Sequence, residues 1–192
     1  MAAKIERGAL RDALLDEVKS VCEADGPEAV SFGRISRGLG VSSGAPFRLF
    51  ASRAEIFGAL IIREMSRLDA EMKAQAVDNP EVQMRGLCET YLNYAAGNPA
   101  MFRLSFSVSA TTMKDRDLEA LGRRIYGRVR AAVAACMPQA SAETAETVAY
   151  LSWTRLHGHA LLKMSGQLDD VDVSVSDKRV IDATLEEITR SA

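Results

Sequence analysis

The chain has 192 residues, 47% hydrophobic and 26% charged, with 26 Asp and Glu against 24 Lys and Arg. That length is enough for one or two small domains with a real core, and the composition excludes a disordered or fibrous chain. The near-neutral balance excludes an evenly basic, histone-like binder but permits one localised basic face.

In chain order, the first element is a helix over 4–25, with Leu10, Leu14, Val18, Val21 and Cys22 at helical spacing. Gly26-Pro27 stops it. Ser31 caps a short second helix through Leu39, with Phe32, Ile35 and Leu39 on one face and Arg34 and Arg37 off it. Gly40 permits a tight turn, and Ser42 or Ser43 caps a third short helix to about Leu49. Pro46 falls in that helix's first turn, where a missing N–H costs little. Ser52 and Glu55 match a capping box and open a long helix carrying Ile56, Leu60, Ile61, Met65, Leu68 and Met72. Asn79-Pro80 and Asn98-Pro99 each read as an N-cap followed by a first-turn proline, starting helices near 80–96 and 99–109. A helix over 115–136 presents Leu118, Leu121, Ile125, Val129 and Val133, and Pro138 ends it. Ser141 caps the next, through about Ser165, with Gly166 as its stop. Asp169–Asp177 reads as a loop, and a last helix over 177–190 carries Ile181, Leu185 and Ile188. The expectation is an all-α chain of about nine helices. Residues 4–64 form an N-terminal helix-turn-helix domain, and 65–192 a larger bundle. No apolar run approaches the roughly 20 residues that span a bilayer. The opening MAAKIERGAL lacks the apolar core of a secretory signal. Cys22, Cys88 and Cys136 are far apart, with no CxxC spacing. A cytoplasmic protein with packed, reduced thiols is expected.

Residues 31–54 concentrate the functional signal. They hold four arginines and no acid, where about three acids would match the chain average. A basic two-helix unit in a neutral chain suits DNA phosphate and base edges. Ser43, Gly44 and Ala45 start the third helix and are small enough for close approach, and the Ala45 methyl suits a thymine methyl. Arg34, Arg37, Arg48 and Arg53 suit phosphate, as do the helix starts capped by Ser31 and Ser52.

The run Arg11…Gly26…Ser31…Ile35…Gly40-Val41-Ser42…Gly44-Ala45-Pro46-Phe47…Phe50…Arg53…Ile56 resembles the N-terminal domain of the TetR family of bacterial transcriptional repressors. The resemblance covers residues 7–60. It implies an all-helical homodimer that reads a palindromic double-stranded DNA operator through its third helix. It also implies release of that operator when a small-molecule effector enters the C-terminal domain. The implied DNA-binding set is Ser31, Arg34, Arg37, Ser42, Ser43, Gly44, Ala45, Phe47, Arg48 and Arg53. Three positions depart from the family pattern. Phe47 stands where Tyr is usual, Leu49 where His is frequent, and Arg53 where Lys is usual. Phe47 and Leu49 each forgo a polar phosphate contact, at about 1 kcal/mol apiece. They motivate an alternative, a helical small-molecule-binding or scaffolding protein on the same fold with weakened or lost DNA binding.

In the C-terminal half, Trp153-Thr154-Arg155-Leu156-His157-Gly158 puts Trp153 and His157 on one helix face. The run resembles the Trp-His-Gly signature of a TetR subtype, in which the last two helices build the dimer interface. Packing in the core or at that interface is the plainer use of both residues. Tyr91, Tyr94, Phe102, Arg103, Phe106, Tyr126, Trp153 and His157 are the candidate effector contacts; Met101, Met113 and Tyr150 are further apolar candidates. Lys114, Arg116, Arg123, Arg124, Arg128 and Arg130 form a basic stretch that reads as a solvated helix face, with an anionic effector as the alternative. His157 and His159 cannot form an i, i+4 metal clip. Asp170, Asp172 and Ser174 begin like an EF-hand loop, but Val175 and Ile181 replace the required Gly and Glu. No phosphate loop, metal set or catalytic triad spacing is present, so neither an enzyme nor a cofactor is expected.

Overall fold

A computed structural model describes residues 6–107 and 115–192. Among these residues every regular element is helical: α1 (Arg7–Asp25), a 3-10 turn (Pro27–Ala29), α2 (Phe32–Gly38), α3 (Ala45–Leu49), α4 (Arg53–Lys73), α5 (Pro80–Gly97), α6 (Pro99–Ser107), α7 (Arg116–Cys136), α8 (Ala142–Met164), α9 (Gln167–Asp170) and α10 (Asp177–Arg190). The all-α expectation holds, with ten helices among the described residues against the nine that the sequence predicts. The addition is α9, a single turn inside what reads as stop and loop. It follows Gly166, whose φ of +73° lets the chain leave α8 and restart at once. No described helix is long and apolar enough to cross a membrane.

Caps explain most helix starts. The Asn79 side chain accepts from the N–H groups of Glu81 and Val82 at 3.0 and 3.1 Å. Ser141 accepts from Thr144 at 3.1 Å and Ser176 from Arg179 at 3.3 Å. Besides α2, where Ser31 makes no side-chain cap bond, two starts differ from the sequence reading. Asn98 turns its amide back to the Tyr94 carbonyl, at 3.1 Å. The free N–H groups of Ala100 and Met101 instead donate to the carboxylate of Glu23 in α1, at 3.0 and 3.2 Å. At α3, Gly44 rather than Ser42 or Ser43 occupies the cap position, and no side chain caps that helix.

The helices gather into two compact units. The first takes the described residues up to Glu64 and those of Ala100–Leu118; the second takes Met65–Pro99 and Glu119–Ala192. The sequence places 65–192 in the C-terminal domain, yet the described residues of Ala100–Leu118 group with the first unit, because Met101 joins its core and Ala100 and Leu104 pack against it. That core is Leu14, Leu15, Val18 and Cys22 of α1, then Val30, Phe32, Ile35, Phe50, Ile56 and Leu60. It also holds an ion pair invisible to periodicity. Glu64 is only 1% exposed, and its carboxylate receives Lys19 Nζ at 2.6 Å and Arg63 Nε at 3.2 Å.

In the second unit α5, α8 and α10 pack on one another. Met84, Leu87, Ala149, Leu156, Ile181 and Ile188 are buried there. Arg85 reaches Asp182 at 2.8 Å, Arg155 pairs with Glu187, and Asp177 receives both His159 and Lys163 at 2.8 Å.

Candidate nucleic-acid interface

The turn between α2 and α3 is fixed by two backbone bonds. Val41 N–H donates to Ser36 O at 2.9 Å and Gly40 N–H to Arg37 O at 3.1 Å. This is a Schellman ending, which needs a left-handed residue at its centre. Gly40 supplies it, with φ of +67°. Ala45 N–H then donates to Ser42 O at 2.9 Å and starts α3, with Pro46 in the first turn. Two short helices are thereby set at a fixed turn on the core of the first unit, through Phe32 and Ile35 from α2 and Phe50 just after α3.

The surface that results is basic. Arg34, Arg37 and Arg48 are exposed, as are Ser31, Ser42, Ser43 and Gly44. Arg34 and Arg37 make no ion pair among the described residues. Arg48 Nη2 donates to Ser42 Oγ at 2.9 Å, which steadies the guanidinium beside the start of α3. Phe47 is 49% exposed, its ring edge-on to Phe32 at 5.7 Å. A large ring held outward by a buried partner is an unusual use of apolar surface.

Three expectations are corrected. Ala45 is 3% exposed, so its methyl packs inward and cannot meet a base. Ser31 occupies the cap position of α2, but its side chain makes no cap hydrogen bond. Arg53 lies at the surface yet is committed inward. Its Nη1 donates to Val30 O and its Nη2 to Pro27 O, both at 2.8 Å. Its guanidinium stacks over Phe32 at 5.3 Å and Phe57 at 5.0 Å. It braces the start of α4 against the 3-10 turn, and a phosphate would meet only its remaining N–H groups. The Ser52 capping box forms with a shifted return: Ser52 Oγ accepts from Glu55 N–H at 3.1 Å, while Glu55 accepts from Ala51 N–H. Leu49 is half-buried against the core.

The candidate effector residues divide. Phe102, Arg103 and Phe106 lie on α6 in the first unit, with Phe102 and Phe106 in ring contact at 4.9 Å. In the second unit Tyr91, Tyr126, Trp153 and His157 come together. Trp153 sits 5.5 Å from Tyr126 and 6.0 Å from His157. Tyr91 is 5% exposed; its hydroxyl lies 2.8 Å from His157 Nδ1 and receives Trp153 Nε1–H at 3.4 Å. Burial pushes the Tyr91 hydroxyl well above its ordinary range and holds His157 below 6.5, so both are neutral at pH 7. Tyr94, three residues on from Tyr91, is buried. Tyr126 donates to Glu146 at 3.2 Å. Met113 and Lys114 lie outside the described residues. Among the described residues no group of three or more His, Cys, Asp or Glu is placed to hold a metal ion.

Burial also raises the thiols. Cys22 is pushed up to about 11 and Cys88 to about 12, which makes both poor nucleophiles.

Residues 84–187 match the family described as tetracyclin repressor-like, C-terminal domain. Over 81 residues the chain is 33% identical to the nucleoid occlusion factor SlmA of Glaesserella parasuis; the match covers 42% of this chain and 40% of that protein's own length. Among solved structures, a protein of unknown function from Rhodococcus sp. RHA1 superposes with a TM-score of 0.81 at 21% identity, over 98% of this chain and 97% of that one. The TetR family transcriptional regulator PfmR of Thermus thermophilus gives a TM-score of 0.64 at 22% identity, over 92% and 97%. The family match spans more than half of the sequence and the fold is shared along nearly its whole length, so the chain belongs to the tetracycline repressor-like (TetR) family of transcriptional regulators, which are not enzymes.

Proposed function

We propose that this protein is a ligand-responsive repressor that reads a palindromic operator as a homodimer. The observation that carries the reading is the acid-free face of α2 and α3. There Arg34, Arg37 and Arg48 are exposed around a turn fixed by Gly40. Residues 4–64 are the DNA-binding domain. Ser43 and Gly44, at the start of α3, approach base edges. Ser31, Ser42, Arg34, Arg37 and Arg48 engage phosphate, and the Phe47 ring lies against the backbone sugars. Arg53 positions the reader rather than leading the contact.

An exposed apolar stripe on α8 supports the dimer. Tyr150, Leu151, Leu161 and Leu162 are exposed along it. Gly158 lies between them, and a Cβ built there meets nothing within 4 Å, so a partner helix has room to approach. Dimerisation through α8 and α10 covers this stripe and sets two recognition helices about 34–36 Å apart. The effector acts in the C-terminal part, with Tyr91, Trp153 and His157 as its aromatic contacts, and changes that spacing through α4.

The test is a mobility shift against DNA flanking the protein's own gene, at several salt concentrations. Saturable binding that resists random competitor and weakens steeply with salt is expected. Sequence-blind or salt-independent binding, both there and after selection from random sites, returns the chain to the scaffolding alternative.

A further inference from the structure

The second unit carries a cationic groove of about 300 Å3 away from the aromatic cluster. Its walls are the end of α4, the start of α5 and the middle of α7. Exposed Ala76 and Ala131 give it an apolar floor over the buried Met72 and Leu87, and Lys73, Arg124 and Arg128 bring three cations to it, with Gly127 between the two arginines. The acid beside it is Asp69, which holds the arginines in place. Asp69 accepts Arg128 Nε at 2.7 Å and Arg124 Nε at 3.0 Å. Burial pushes the Asp69 carboxyl up, but the two guanidinium bonds outweigh it and hold the group below the ordinary carboxylate range. Both bonds use Nε, so each guanidinium keeps its pair of terminal nitrogens for another acceptor. Lys73 is exposed and makes no ion pair among the described residues. A Cβ built at Gly127 meets nothing within 4 Å, so the wall is open where a ligand would lie.

The geometry points to a binding site for a small organic monocarboxylate, its apolar body on Ala76, Gly127 and Ala131 and its carboxylate between Lys73 and the forked guanidiniums. The size is at the lower end of ligand sites and suits a small molecule. Three cations against one acid leave a net positive site, and the apolar floor favours an organic anion over an inorganic one. The site is defined by binding, so it stands apart from whether binding releases DNA.

The experiment is calorimetric titration of the full chain with hexanoate and phenylacetate, alongside hexanamide, phenylacetamide and inorganic phosphate. Saturable binding of at least one acid is expected, with its amide at least tenfold weaker. Lys73→Glu and Gly127→Leu should each weaken that acid at least tenfold. Gly127→Leu fills the groove while removing a mid-helix glycine, so its thermal midpoint should not fall. No binding of either acid, equal binding of acid and amide, unchanged affinity in Gly127→Leu, or equal displacement by phosphate would overturn the assignment. A mobility shift with the bound acid then bears on ligand response alone.

Discussion

Replacing Arg53 separates bracing from DNA contact. Arg53→Leu removes two bonds of 2.8 Å to the carbonyls of Pro27 and Val30, and two cation–ring contacts. Each bond in this partly exposed place contributes about 1 kcal/mol, and each ring contact about 0.5 kcal/mol. The leucine retains part of the packing on Phe32 and Phe57, so the expected loss is about 2 kcal/mol. Urea unfolding followed by circular dichroism measures it. Operator affinity against salt gives the other half of the answer. Removing one phosphate-binding cation lowers the slope of log K against log salt by about 1. Arg34→Gln and Arg37→Gln are expected to lower that slope while leaving the urea midpoint unchanged. Arg53→Leu is expected to shift the midpoint and leave the slope nearly intact. An Arg53→Leu protein as stable as the parent, with its slope reduced by a full unit, would refute the brace. The sequence reading would then be right that Arg53 is foremost a phosphate contact.

Gly40→Ala puts a Cβ at φ +67° and should cost about 1 kcal/mol, with weaker operator binding from a distorted turn; unchanged urea stability would contradict the Schellman assignment. Ser36 is 1% exposed and its hydroxyl has no partner among the described residues, so Ser36→Ala should be neutral or stabilising by up to about 1 kcal/mol, and a clear destabilisation on urea unfolding would reveal a hidden bond. His157 is held below 6.5 by burial. The unfolded chain therefore binds its proton first, and stability contributed by the neutral ring is present above pH 6.5 and lost as pH falls through the lowered value. Urea midpoints at pH 7.5 and 5.5 should differ more for the parent than for His157→Gln, and equal differences would exclude His157 as the source.

The features legible in the chain alone lie within a turn or two of one another. The Asn79 and Ser141 caps, the left-handed Gly40 and the apolar stripes of α1 and α10 are local. Their energies depend on neighbours three or four residues away, and those neighbours are in the sequence. The acid-free arginine face was legible for the same reason, since a charge pattern within one short window stays together once the window folds. Everything whose partner is distant waited on the fold. Glu23 caps a helix 77 residues on, and Arg53 binds carbonyls 23 and 26 residues back. Asp69 gathers two arginines from 55 and 59 residues away. Ala45 belongs to a helix of five residues, too short for periodicity to tell its inner face from its outer one. Helical spacing says which side chains share a face; only the packing of one helix on another says what that face meets.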